Sequence, residues 1–386
     1  MRILHVINSL DAKSGGPPLI VSRLAAAQVL EGVTCGLLAY EPEEPKTAIP
    51  AKLGEVPGGA GIKLILVPRA RGRLDYLTSR TAKNVIRDAI RGYDFVHLNG
   101  VWDPILLATA NECRKAGKPY AVTTHGMLDP WCMTQGTLKK KAALALGYKR
   151  MLDQAAFLHL GNTDEQRLME PIGLTSPGEI IPNGIFIEEF NNLPAKGTFY
   201  AKHPELNGQP FILFLSRLHY KKGLDYLADA FAIVAPKAPD LRLVVAGADD
   251  GYKATFEQMI ARHNLRSRTH LTGPLYGTEK LAAFNDARLF CLPSRQEGFS
   301  IAITESLACG TPSVVTRDCH YPEVETFGAG VCTALSAPSV AEGILHVLGK
   351  PREELGQAGY KLVREHFTWP IVARTAMRAY EKYLRR

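Results

Sequence analysis

The residues best equipped for chemistry stand in one run, Pro293 to Ser300, continuing through Glu305 to Gly310 and Pro312. It follows the apolar stretch Arg288 to Leu292, which reads as a strand. Gly298 permits a tight strand-to-helix turn, and Ser300 suits a helix N-cap. A helix starting there offers free backbone N–H groups to sugar hydroxyls or phosphate. Glu297 lies at the mouth of that turn, and Glu305 eight residues on, about two turns down the helix. Two carboxylates so spaced could grip two parts of one elongated ligand. On chemistry alone, both read equally well as exposed helix-surface glutamates.

A second candidate is the run Leu215 to Asp225. Arg217 and Lys222 sit at the carboxyl end of a strand, where a helix begins. Two fixed cations at a helix N-terminus make a pyrophosphate clamp; the plain alternative is a solvated basic turn. Gly15 and Gly16, between the first strand and the helix opened by Pro17, would let the backbone approach a ligand, although such turns are common. His125 closes a first-half strand and reads either as a ligand for a sugar hydroxyl or as a structural hydrogen-bonder. Trp102 and Trp131 read as exposed-loop aromatics able to stack on sugar rings, although burial is the commoner fate of tryptophan. Met127 and Asp129 stand between His125 and Trp131 in the same run.

Other α/β chemistries lack their signatures. No Gly-x-Gly-x-x-Gly follows the first strand, and no phosphate-binding Walker run or Gly-x-Ser-x-Gly elbow occurs. There is no Asp-x-Asp, and Asp249-Asp250 lacks a third ligand. No metal or cofactor is therefore expected.

The net charge of +8 favours anionic partners. The charge is spread out, with local clusters at Arg69-Arg71-Arg73 and Lys139-Lys140-Lys141 that read first as solvated faces. Seven scattered cysteines with no Cys-x-x-Cys pair argue against disulfides and structural zinc. A reducing cytoplasm fits them. No run reaches the roughly 18 apolar residues of a membrane span, and the opening strand-like run is too short for a signal peptide.

These residues need elements to position them. Strands are predicted at 2–7, 34–39, 62–67, 94–98, 120–124, 156–160 and 179–181, with helices between most of them, including 17–31 and 137–153. Apolar runs without polar alternation are the mark of parallel strands buried on both faces. The stretch 186–210 breaks the rhythm and reads as an interdomain linker. The pattern resumes with strands at 211–216, 241–246, 269–271, 288–292 and 313–316, and ends in a helix at 371–385. The fold class is α/β, with two doubly wound halves. Ligands bind at the carboxyl ends of such strands, so the chemistry is expected where the two halves face each other.

Glu297 to Glu305 resembles the Glu-x7-Glu motif of family 4 (group 1) retaining glycosyltransferases, and the surrounding run to Pro312 is similar almost throughout. Arg217 and Lys222 match that family's Ser-Arg-Leu-x-x-x-Lys-Gly run, Ile181 to Gly184 its Ile-Pro-Asn-Gly signature, and Gly15-Gly16 its N-terminal glycine loop. Phe367 to Trp369 resembles the run before its last helix. The stretch His125 to Trp131 resembles a subgroup for bacterial surface polysaccharides. Gln296 departs from many relatives.

The resemblance implies a GT-B fold: Rossmann-like domains at 1–190 (acceptor) and 191–369 (donor), facing across a cleft, with helix 370–386 crossing back to the first. It implies metal-independent transfer of a hexose from a UDP- or GDP-sugar to a glycan, lipid-linked or small-molecule acceptor. Arg217 and Lys222 would neutralise the diphosphate, and Glu305 would hold the ribose. Glu297 and the backbone of Gly298, Phe299 and Ser300 would hold the sugar, with His125 near the reacting carbon. Leu275 would touch the base, Gly15 and Gly16 the phosphates or acceptor, and Trp102, Met127, Asp129 and Trp131 would make an acceptor-side set. Rival readings are a GT-B-shaped epimerase and a non-catalytic sugar-nucleotide binder. The basic segment 137–153 adds an expected contact with anionic membrane, giving a cytoplasmic protein peripheral at the inner face; no nucleic acid partner is expected.

Overall fold

The structure is a computed structural model and describes residues 1–11, 16–42, 48–68 and 79–385. Gly15 and the Arg69-Arg71-Arg73 cluster lie outside the described residues. The chain divides into two compact units, Met1–Asn183 with Trp369–Arg386, and Gly184–Thr368.

The first unit is built on a seven-stranded sheet in the order β3-β2-β1-β4-β5-β6-β7. Its strands are β1 (Arg2–Ile7), β2 (Thr34–Tyr40), β3 (Lys63–Val67), β4 (Phe95–Asn99), β5 (Tyr120–Thr123), β6 (Phe157–Leu160) and β7 (Gly178–Ile180). Every pairing is parallel. The central strands are buried on both faces, as their unbroken apolar runs require.

The second unit repeats the plan with six parallel strands in the order β10-β9-β8-β11-β12-β13. They are β8 (Phe211–Leu215), β9 (Arg242–Ala246), β10 (Thr269–Gly273), β11 (Leu289–Leu292), β12 (Ser313–Thr316) and β13 (Gly330–Thr333). β13 was not predicted, because its four residues begin with glycine and carry too short an apolar signal.

The terminal helix, Trp369–Leu384, belongs to the first unit. Tyr380 is fully buried there. Its hydroxyl meets His97 Nδ1 at 2.6 Å and accepts from Gln28 Nε2 at 3.3 Å. The ring packs against Phe95 and Phe157.

The segment 186–210 is not a free linker. Phe190, Phe199 and Leu206 are buried in the core of the second unit, and each such burial contributes roughly 1.5–3 kcal/mol. Asp286 anchors the same segment, accepting from the backbone N–H groups of Gly197 and Phe199, both at 2.8 Å. The polar composition hid these three apolar anchors. The predicted helix 137–153 is present but interrupted by a π-turn over Leu144–Tyr148, where Gly147 has φ 122°.

Candidate functional site

In the second unit the strand order reverses between β8 and β11. Loops leaving two such strands diverge around a crevice at their carboxyl ends. The β8 loop carries Arg217 and Lys222, and the β11 loop carries Glu297, so the topology alone brings these segments together. Gly223 sets their separation: it has φ 69°, and a Cβ there would lie 1.8 Å from the Pro293 carbonyl oxygen. Arg295 braces the two loops. Its backbone N–H donates to Lys221 O at 2.8 Å, and its guanidinium grips both oxygens of Asp225 at 2.8 and 2.5 Å while stacking on Tyr220.

Against this brace, Lys222 Nζ donates to both Glu297 oxygens at 2.7 and 2.9 Å. Ser294 Oγ donates to Glu297 Oε1 at 2.5 Å. The Lys222 and Glu297 side chains are only 15% and 9% exposed, so the pair is largely removed from water. Arg217 is different: its guanidinium meets Asp250 at 2.5 Å on the surface, with 67% of the side chain exposed. Asp249 accepts from the N–H groups of Gly251, Tyr252 and Lys253 at the start of a helix. The Asp249-Asp250 pair is thereby spent on a turn and an ion pair.

Glu297 precedes the helix Ile301–Ala308 rather than lying on it, and Glu305 is little more than one turn into that helix. Glu305 accepts from Lys280 at 2.6 Å, and both side chains are mostly buried. The surface-glutamate reading of Glu297 and Glu305 is therefore wrong. Ser300 occupies the N-cap position but makes no side-chain capping bond, so the expected hydroxyl cap is absent. Phe299 packs on Tyr321 and Phe367. Leu275 is 7% exposed and packs into the core, leaving a base little of its side chain to touch.

In the first unit, His125 sits in a tight turn closed by Met127 N–H donating to Thr124 O at 2.9 Å. Its φ of 48° and that of Gly126, 68°, are both left-handed, a costly conformation for a residue with a Cβ. Buried Glu165 holds the turn, accepting from Thr124 Oγ1, from Gly126 N–H at 2.8 Å and from Gly161 N–H at 2.8 Å. His125 Nε2 is buried with no hydrogen-bond partner among the described residues. Burial pushes its pKa down to about 4, which keeps the ring neutral.

The acceptor-side set is less uniform. Asp129 is 2% exposed, and its Oδ1 accepts from Cys132 N–H at 2.7 Å as the N-cap of the helix Pro130–Thr134. One oxygen of its carboxylate is therefore committed to the backbone. Trp131 lies on the same helix, not in an exposed loop, and is half-buried. Trp102 is also half-buried against the core, beside Tyr148. Met127 packs on the same core. Gly16 precedes the first helix with open space around it.

Residues 15–184 match the family described as Glycosyl transferase 4-like domain, and residues 196–362 match Glycosyl transferases group 1. The chain belongs to the group 1, family 4-like glycosyltransferases.

This glycosyltransferase is 26% identical over 383 residues to the phosphatidyl-myo-inositol mannosyltransferase of Mycobacterium tuberculosis, covering 95% of the chain and 93% of the relative. It is 33% identical over 172 residues to the MMP alpha-(1->4)-mannosyltransferase of Mycolicibacterium hassiacum, a match spanning 43% of the chain and only 41% of that relative. Among solved structures, Anabaena Alr3699/HepE in complex with UDP and glucose superposes with a TM-score of 0.76 at 18% identity, covering 99% of the chain and all of that protein. The glycosyltransferase has the GT-B fold.

Sequence reasoning missed the residues that hold the glycosyltransferase's site together: Ser294, Asp225, Lys280 and Glu165. Only Ser294 had a local signal, three residues before Glu297. Asp225 closes the run that carries Arg217 and Lys222 but gave no sign of its partner Arg295, and Lys280 and Glu165 approach from elements distant in sequence.

Proposed function

We propose that this glycosyltransferase moves a hexose from a UDP- or GDP-sugar to a hydroxyl of a glycan or lipid-linked acceptor, with retention at the anomeric carbon. The carrying observation is the buried Lys222–Glu297–Ser294 cluster on the loops after β8 and β11, with Arg217 exposed on the same β8 loop. In this reading Arg217 and Lys222 take up charge on the departing diphosphate, the step where electrostatic stabilisation is most effective. Glu297 holds the sugar and Glu305 the ribose. The Ile301 and Ala302 N–H groups open the helix Ile301–Ala308 without a side-chain cap, and in this reading they meet ligand oxygens. In this reading neutral His125 serves the donor sugar at its reacting carbon.

No protein nucleophile is invoked. The leaving phosphate takes the acceptor proton on the same face of the sugar as the new bond forms, and positioning supplies the rest of the acceleration. No metal is assigned to the transfer. The Mycobacterium relative's name supports a mannosyl donor and an inositol-lipid acceptor as first candidates.

Polysaccharide or glycoconjugate assembly on the inner membrane face fits the region 137–153. Leu138 and Leu146 are 84% and 80% exposed, and Lys139, Lys141 and Arg150 around them are exposed too. Apolar side chains ringed by cations suit an anionic lipid surface. Among the described residues no helix is long and apolar enough to cross a membrane.

The test is a panel of nucleotide sugars assayed for thermal stabilisation and slow hydrolysis, followed by NMR of the anomeric configuration in the product. One donor should stabilise the protein, be hydrolysed and yield a retained linkage. An inverted product, or a donor bound but never cleaved, would overturn the reading.

A further inference from the structure

Away from the β8 and β11 loops, the second unit gathers two imidazoles and a carboxylate at its sheet edge. His203 follows the short helix Thr198–Lys202, Glu205 lies in the 3-10 turn Pro204–Leu206, and His270 is on β10, the edge strand. His270 Nε2 is 2.8 Å from Glu205 Oε1 and 3.1 Å from His203 Nδ1. His203 Nδ1 is 3.4 Å from the same Glu205 oxygen. The three ligand atoms lie within 4.8 Å of one another.

We propose that His203, His270 and Glu205 bind one divalent transition-metal ion of the zinc class, pinning segment 198–206 to the edge of the second sheet. With metal–nitrogen and metal–oxygen bonds of about 2.0–2.2 Å, tetrahedral ligands stand about 3.3 Å from each other. The observed separations bracket that value. Two imidazoles and one carboxylate suit zinc, nickel or copper, whereas magnesium prefers all-oxygen sites. Three protein ligands leave a fourth position, and Glu205 is 47% exposed, so water reaches it.

The surroundings carry the same message. Metal-bound histidines usually give their other N–H to a carboxylate, which fixes the tautomer. Here His203 Nε2 is buried 3.4 Å from Glu279 Oε1, in reach of it but not hydrogen-bonded to it, and Lys202 stands 3.7 Å from Glu279. With the proton on Nε2, the Nδ1 lone pair points at His270 and Glu205. The His203 ring rests on Phe199 at 4.2 Å between centroids, and Phe199 is fully buried, so the ligand stands on a fixed base. A clip there also covers an edge strand, where unpaired backbone invites unwanted pairing.

The test uses the full chain, dialysed free of metal, titrated with Zn²⁺ against a chromophoric chelator and followed by thermal unfolding with Zn²⁺ or Mg²⁺. One equivalent of zinc should bind per chain. Zinc at 100 times its dissociation constant should shift the folding equilibrium about 100-fold, with no comparable effect of magnesium. Glu205→Gln and His270→Ala should each abolish the zinc-dependent shift, and Glu205→Gln should keep donor hydrolysis. If His270→Ala fails to fold, the half-exposed Glu205→Gln decides. Absence of a zinc-dependent shift, an equal shift with magnesium, or a zinc shift that survives in Glu205→Gln would overturn the proposal and leave a hydrogen-bonded proton among these groups.

Discussion

Lys222 is held by both carboxylate oxygens of Glu297, in a setting where neither side chain is more than 15% exposed. The cation proposed to meet the diphosphate and the acid proposed to meet the sugar are thus one unit. Removing either leaves the other buried without its charge partner.

That pairing separates the two cations experimentally. Lys222→Ala should cost stability on the order of 3–5 kcal/mol by orphaning Glu297, and slow turnover by roughly 100-fold or more. Arg217→Ala breaks only an exposed pair, so its stability cost should be below about 1 kcal/mol, while turnover falls comparably. Urea melts and kcat at saturating acceptor measure both. Near-normal turnover in both variants would remove the diphosphate clamp.

His125→Asn keeps a residue that tolerates the left-handed turn and removes the unpartnered Nε2. Stability should hold while kcat drops. Because burial sets the His125 pKa near 4, the wild-type kcat profile should show no inflection from this residue between pH 5.5 and 8. A wild-type inflection near pH 6.5 that vanishes in His125→Asn would show that the ring titrates normally.

Transfer should proceed unchanged in EDTA, assayed well below the unfolding temperature. Abolition by EDTA and recovery with a divalent ion would mean that metal, not Arg217 and Lys222, carries the diphosphate charge.

Three further histidines predict acid sensitivity. His5, His97 and His159 face one another on β1, β4 and β6. Burial lowers His5 to about 4 and His159 to about 3, and drives His97 well below its usual range. The groups around them are uncharged: Gln28, Tyr380, Thr123 and the Ile181 carbonyl. Below pH 6.5 the unfolded chain takes up protons that the folded chain refuses. Stability is therefore full above pH 6.5 and falls as pH drops towards 4, by up to about 1.4 kcal/mol per ring per pH unit. Urea melts at pH 7, 6 and 5 should give a shallower slope for His159→Gln than for the wild type; equal slopes would refute the assignment.

Leu138→Glu with Leu146→Glu should reduce sedimentation with anionic vesicles and leave hydrolysis of a soluble donor intact. Equal partitioning of wild type and double variant, or of anionic and neutral vesicles, would rule out the membrane face.

Much of this was legible in the sequence. Buried parallel strands announce themselves by unbroken runs such as Phe211 to Leu215, and the loops after β8 and β11 carry charged residues where doubly wound sheets bind ligands. What the sequence withheld was side-chain direction. On local chemistry Glu297 and Glu305 read as well as surface residues as ligand-gripping ones, because nothing local reveals that Lys222 and Lys280 arrive from other elements. Asp129 looked available because a capping carboxylate and a binding one read alike. The segment 186–210 looked free because polar residues outnumber its three apolar anchors.

The lodging of Tyr380 between His97 and Gln28 also orders events at the ribosome. Synthesis releases the first sheet early, yet the hydroxyl that closes its buried imidazole row emerges only after all of Gly184–Thr368 has been made. The body begun first is completed last, so the nascent chain must shelter an unfinished face of β1 and β4 while the other half folds.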